Sequence, residues 1–384
     1  MSRVSEMTEA DVFVVADNVF SPLGEATAEN FSKLTQNISA VRSHNRIKIS
    51  SKPFYASLFS SNESILKGAA HKYTKFEQLL IASIDNAIQG CTLNIRDKNT
   101  VLIISSTKGN ISLLETEAVN ESLRKRIALS TSAKIVSEHF GFVNQPVIIS
   151  NACISGVLAI ITGMRLLQSG QFENAVIAGA DVISKFILSG FESFQALSPD
   201  ICKPFDKHRN GLNLGEGAGT IILSANKKHR QNIKIKGGSV SNDANHISGP
   251  SRTGRELADA IKKAMEDANV SASDIDFISA HGTATVYNDE MEANAFNLTG
   301  LQSIPLNSLK GYYGHTLGAA GLIESIISIQ SIKENLVLPT LGFSDMGTTQ
   351  PLNICTGLLP GNFKNCLKTA SGFGGCNAAL IFGK

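Results

Sequence analysis

Four short, predominantly apolar runs rich in β-branched residues most limit how this chain can fold: Val101–Ile104, Val147–Ile149, Ala175–Ala178 and Gly219–Leu223. Runs that are apolar at nearly every position, not at alternate ones, read as strands buried on both faces. Among them, Ile154–Gln168 and Leu317–Ile332 repeat apolar residues at helical spacing and crowd Gly and Ala near their starts. This alternation predicts an α/β fold of mainly parallel sheets covered by helices.

The two helical stretches share a further property. Each follows a strand-like segment and begins just after a reactive side chain, Cys153 in SNACISGVLAI and His315 in YYGHTLGAAGLIES. The recurrence reads as a weak internal duplication. Its halves are placed at 1–228 and 229–384, with the polar run NKKHRQN at Asn226–Asn232 as the crossing. Glycines 156, 318 and 321 either let helices pack closely or let a substrate approach the backbone.

Composition serves mainly to exclude. Lys+Arg 35 against Asp+Glu 33 leaves a net charge of +2, too small to argue for nucleic acid or an anionic membrane as main partner. With 42% hydrophobic residues and 32 glycines, disorder is not expected. No apolar run approaches the ~18 residues of a spanning helix. Glu6, Glu9 and Asp11 precede the first apolar run, unlike a signal peptide. A soluble, cytoplasmic protein is therefore expected. The cysteines lack any CxxC pair, which fits neither a disulfide scaffold nor a structural zinc site. Cys91, Cys202, Cys355, Cys366 and Cys376 read as small apolar fillers.

Cys153 falls at the predicted start of a helix, where free backbone N–H groups and the helix dipole favour an anion. Such a position is expected to lower its pKa by about one unit or more, and its own N–H is placed to help hold an oxyanion. His281 ends a strand-like Phe277-Ile278 segment in FISAHGTATVYNDEME, ahead of a loop of small and hydroxyl residues. His315 follows Lys310 by five positions and precedes Glu324 by nine, and these two charges are expected to pair across that turn. Taken singly, a cysteine or histidine in such places is as readily a packed or hydrogen-bonded residue. The remaining histidines (His44, His71, His139, His208, His229, His246) are read that way.

Together the motifs say more. SPLG at Ser21–Gly24, ACISG at Ala152–Gly156, KPFDKHRNGLNLGEGAG at Lys203–Gly219, HGTAT at His281–Thr285, KGYYGHTLGAAG at Lys310–Gly321 and GFGGCNAAL at Gly372–Leu380 stand in one order along nearly the whole chain. In these the sequence resembles the elongating β-ketoacyl-[acyl-carrier-protein] synthases of the thiolase superfamily. The resemblance implies duplicated βαβαβαββ halves in a five-layered αβαβα arrangement. It also implies a decarboxylative condensation of an acyl thioester, carried on Cys153, with malonyl-[acyl-carrier-protein]. By the same resemblance His281 and His315 are expected to be the catalytic histidines, and Lys310 with Glu324 to hold the His315 loop. The resemblance further implies that Phe373, between Gly372 and Gly374, is a gate whose N–H joins that of Cys153 in the oxyanion site, and that Thr283 and Thr285 belong to the substrate channel. No cofactor and no metal are implied. The implied partners are an acyl carrier protein and a homologous subunit, in a homodimer or heterodimer. Lys72, Arg124, Lys125 and Arg126, from HKYTKF and SLRKRI, are the candidate carrier contacts.

A non-catalytic chain-length-factor-like subunit is the alternative, weighed against by the intact Cys153. Zinc ligation by Cys153, His281 and His315 and a degradative thiolase are further rivals; Cys376 stands where the elongating family usually has Thr and is not read as a second catalytic cysteine. Ala16-Asp17-Asn18, in place of a glycine-bearing segment, and Ser371, in place of Phe, depart from the family pattern. They are expected to bear on the acyl substrate, because they fall where pocket and gate are anticipated.

Overall fold

A computed structural model describes residues 10–60, 65–66, 72–245 and 249–384. Glu6, Glu9, His71 and His246 lie outside the described residues. Among the described residues the main sheet has eleven strands. From one edge they run Asn353–Ile354, Pro305–Asn307, Phe277–Ser279, Asn365–Gly372, Cys376–Gly383, Lys234–Asn242, Val12–Phe20, Gly217–Ser224, Asn174–Asp181, Thr100–Ser105 and Val147–Ile149. The first six come from the C-terminal part of the chain and the last five from the N-terminal part. A ladder of only two residue pairs, Val12 with Ile235 and Phe13 with Lys234, joins the two groups.

Helices Ser155–Gln168 and Ala320–Glu334 pack in one core cluster between the two groups of strands. Lys75–Gln89 and Leu129–Phe140 cover the outer face of the N-terminal strands, and Arg255–Asp267 and Val286–Leu298 that of the C-terminal strands. The result is the five-layered αβαβα arrangement. The central helices are buried along most of their length, Ala320–Glu334 carrying Glu324, Ser325, Ser328 and Ser331 inward with its apolar residues. They also approach closely: a Cβ on Gly156 would lie 2.5 Å from the backbone nitrogen of Leu322. Each fully buried Leu or Ile along them contributes about 1.5–3 kcal/mol relative to exposure.

The expectation of mainly parallel sheets is corrected. Strands are parallel toward the two ends, where helices cross over, but antiparallel through the middle, from Asn365–Gly372 across to Asn174–Asp181. A continuous apolar run reports burial of both faces and not strand direction. Gly217–Ser224 is fully buried and antiparallel to both neighbours.

Candidate active site

Cys153 is delivered by a sharp turn between strand Val147–Ile149 and helix Ser155–Gln168. Ala152 takes φ 43°, a left-handed conformation that strains a residue with a Cβ by roughly 1–2 kcal/mol. Ser155 locks the turn: its Oγ accepts from the N–H of Asn151 at 2.8 Å and donates to the carbonyl of Ala152 at 2.6 Å. The cysteine is buried, two positions ahead of the first helical residue. Burial pushes its thiol up to about 12, with Cys376 and Asp181 adding to the rise and Lys310 and Lys108 opposing it. The expected lowering is therefore corrected: loss of hydration is the largest influence on the group, and the resting form is a thiol.

His281 follows strand Phe277–Ser279. Its loop is clamped from helix Val286–Leu298: Glu292 accepts from the N–H groups of His281 (2.8 Å) and Gly282 (2.6 Å), and Asp289 from that of Thr283 (3.1 Å). His315 is held by its main chain between the Asn213 carbonyl and the Gly215 N–H. The N–H of Leu317 donates to its Nδ1 at 3.1 Å. An imidazole accepting at Nδ1 is neutral and carries its proton on Nε2. The two rings meet edge to face with centroids 5.2 Å apart.

Both histidines are held well below the ordinary imidazole range. For His281 the causes are burial, then Lys310, the neighbouring His315 ring and Lys368; for His315 they are burial, Lys310 and Lys368. The expected Lys310–Glu324 pair is present at 2.5 Å, and Lys310 Nζ also donates to the carbonyl of His281 at 2.9 Å. That pair thus braces the His281 strand end.

Cys153, His281 and His315 line one cleft of about 430 Å³, with Thr283, Thr285 and Phe373. Threonines 283 and 285 are linked by their hydroxyls at 2.9 Å. The Phe373 ring stacks on Phe191 (centroids 5.8 Å) and meets Phe194 edge-on (5.2 Å). Gly374 and Gly375 take φ 89° and 79°, conformations open to glycine. Gly372 serves close approach instead, since a Cβ there would lie 2.9 Å from the nitrogen of Cys153.

Beta-ketoacyl synthase models match residues 9–229 (N-terminal domain) and 233–344 (C-terminal domain). The chain belongs to this family. Beta-ketoacyl synthases similar to it include 3-oxoacyl-[acyl-carrier-protein] synthase 2 of Vibrio harveyi, 28% identical with 98% of this chain and 99% of that protein covered. Among solved structures, the ishigamide ketosynthase/chain length factor is 26% identical with a TM-score of 0.90, covering 98% of this chain and 100% of that one. A ketosynthase in complex with its chain length factor from Xenorhabdus doucetiae is 25% identical with a TM-score of 0.85 and full coverage of both chains. As a β-ketoacyl synthase with the thiolase-like fold, the protein is a condensing enzyme of the acyltransferase class.

Several site expectations need amendment for this synthase. Arg126 is not a free carrier contact, because both its terminal nitrogens lie 2.6 Å from the buried carboxylate of Glu77. Arg124 and Lys125 are exposed, Lys125 beside Glu121 at 2.7 Å, and the exposed Lys72 has its ammonium 5.1 Å from the Tyr73 ring. Ser371 lines the cleft, but Ala16, Asp17 and Asn18 do not; they sit in the central strand Val12–Phe20, where Asp17 pairs with Lys333. Cys376 donates to the carbonyls of Phe373 and Asn151, a packing role.

Asp181 was not singled out from sequence. It accepts from Ser106 Oγ (2.8 Å) and from the N–H groups of Thr107, Lys108 and Gly318 (2.7 Å for the last), tying the loop after strand Thr100–Ser105 to the turn after His315. Among the described residues no group of three His, Cys, Asp or Glu side chains is placed to share a metal ion. No helix among them is long and apolar enough to cross a membrane.

Proposed function

We propose that Cys153 takes the acyl group from a carrier thioester and that His281 and His315 stabilise the malonyl-derived enolate that attacks it. The convergence of one thiol and two uncharged imidazoles on a single cleft carries this reading. In the first half-reaction the Cys153 sulfur bonds the acyl carbon, the carrier sulfur leaves, and the thiol proton ends on the carrier thiol. The N–H groups of Cys153 and Phe373 hold the oxyanion. In the second, the malonyl thioester loses carbon dioxide while His281 and His315 donate to its thioester oxygen. The enolate carbon then bonds the acyl carbon, the Cys153–acyl bond breaks with its electron pair on sulfur, and a proton taken up from solvent restores the thiol. Neutral histidines suit this step, since each must donate a proton to a hydrogen bond without giving it up.

Thr283 and Thr285 line the route by which the carrier's arm enters, Phe373 gates it, and Lys310 with Glu324 braces the histidine loops. The division into halves 1–228 and 229–384 places the nucleophile on one and both histidines on the other. The named relatives favour an acyl carrier protein as donor and a homologous subunit as partner, with fatty acyl or polyketide chains as cargo. Free cysteines throughout fit the reducing cytoplasm. The retained thiol and histidines separate the chain from a non-catalytic partner subunit. Intact-mass measurement after incubation with acyl carrier thioesters tests the reading: an acyl adduct mapped to Cys153 supports it, and an adduct elsewhere, or none with any donor, opposes it.

A further inference from the structure

Strand Asn365–Gly372 carries a single charged residue, Lys368, and the fold buries it completely. An ammonium without water is costly unless closely partnered. Its Nζ lies 2.6 Å from Glu324 Oε2, while Lys310 Nζ lies 2.5 Å from Oε1 of the same carboxylate. Lys368 also donates to the carbonyls of Ser279 and Ala280, both at 3.2 Å, beside the bond from Lys310 to the carbonyl of His281. Three successive carbonyl oxygens at the strand end that delivers His281 therefore face two ammonium groups.

Lys310 and Glu324 alone balance in charge, so Lys368 adds a positive charge behind the histidines. The other carboxylate in this layer, Glu292, is occupied by the N–H groups of His281 and Gly282, the Thr369 hydroxyl and the Asn288 amide. Asp289 faces Arg209. Alternation along the strand explains the geometry: Lys368 points to helix Ala320–Glu334 and Thr369, on the opposite face, to helix Val286–Leu298.

Resting on the condensing reading above, we propose that Lys368 is a second positioning residue of the decarboxylation half-reaction, which pins the strand behind His281 and keeps both histidines uncharged donors. Burial and Lys310 act in the same direction, and Lys368 adds to them at both rings. Burial draws the Lys368 ammonium below its ordinary value while Glu324 supports its charge.

The test is Lys368→Met, which keeps the stem and leaves Glu324 paired with Lys310. Carbon dioxide release from malonyl carrier and acyl loading of Cys153 are followed against pH, with the unmodified enzyme alongside. Release is expected to fall about tenfold or more with loading within about twofold, and its acid limb to move up by about one pH unit, as loss of one nearby cation should do. Equal loss of both half-reactions, no loss, or an acid limb at the unmodified position overturns the role. An unmodified enzyme that releases no carbon dioxide overturns the condensing reading instead. Should the variant not fold, Lys368→Gln, which keeps a donor toward the carbonyls of Ser279 and Ala280, replaces it in a ¹³C-histidine NMR titration: rings that take up protons at higher pH than in the unmodified enzyme support the role, and unchanged ring titration overturns it.

Discussion

The backbone N–H of Leu317 donates to Nδ1 of His315 across 3.1 Å, which leaves the ring's only proton on Nε2, the atom free to act in the cleft. Leu317 takes φ 52° to place that N–H, a left-handed conformation of the kind that clusters at functional sites. Replacing His315 or His281 by Ala removes one preorganised donor, so decarboxylation is expected to fall by about 10²–10³. Acyl loading of Cys153 should fall far less. Single-turnover measurement of each half-reaction checks this; equal losses would mean a shared base or a folding defect.

The pH dependence follows from the same rings. Because burial and nearby lysines hold both histidines well below their ordinary value, they stay neutral when pH drops through about 6.5. Decarboxylation should therefore be flat from about pH 8 to about pH 6 and be lost only at lower pH, where the rings finally take up protons. A titration of carbon dioxide release with an acid limb near 6.5 would show ordinary histidines.

Arg126 and its neighbours separate stability from docking. Arg126→Ala leaves the buried Glu77 carboxylate without its bidentate partner, and about 3 kcal/mol of stability should be lost. Charge reversal at the exposed Arg124 and Lys125 should leave stability unchanged and raise the KM for the carrier substrate, with small thioester mimics unaffected. Denaturant unfolding and carrier-dependent kinetics on both variants distinguish the two roles.

The Phe373 ring rests between Phe191 and Phe194 at the cleft, on a loop with two left-handed glycines. Phe373→Ala should keep the fold, slow acyl transfer and allow malonyl decarboxylation before Cys153 is acylated. Carbon dioxide release without an acyl donor, compared with the unmodified enzyme, reads this out. Unchanged release with normal acyl transfer would make Phe373 a packing residue.

That Cys153, His281 and His315 share one cleft of the candidate site was legible because each stands among small residues at a strand end or helix start, and the Lys310–Glu324 pair because the two carry opposite charges on either side of the His315 turn. What escaped was set by long-range packing. Lys368 meets Glu324 across 44 positions and Asp181 reaches Gly318 across 137, and neither distance leaves a local pattern. Arg126 lies in a run of charged residues that reads as surface, yet the helix turns it toward Glu77. The thiol of Cys153 was misjudged for a related reason: helix position is local, whereas burial depends on the whole fold. Strand direction in the middle of the sheet was hidden because both faces are covered whichever way a strand runs.

The division of labour between Cys153 and the two histidines is tested most directly by Cys153→Ala, assayed at once for carbon dioxide release and for 3-oxoacyl product. The variant is expected to form no product while still decarboxylating malonyl carrier, because both donors remain. Product formed at near the unmodified rate would contradict Cys153 as the nucleophile.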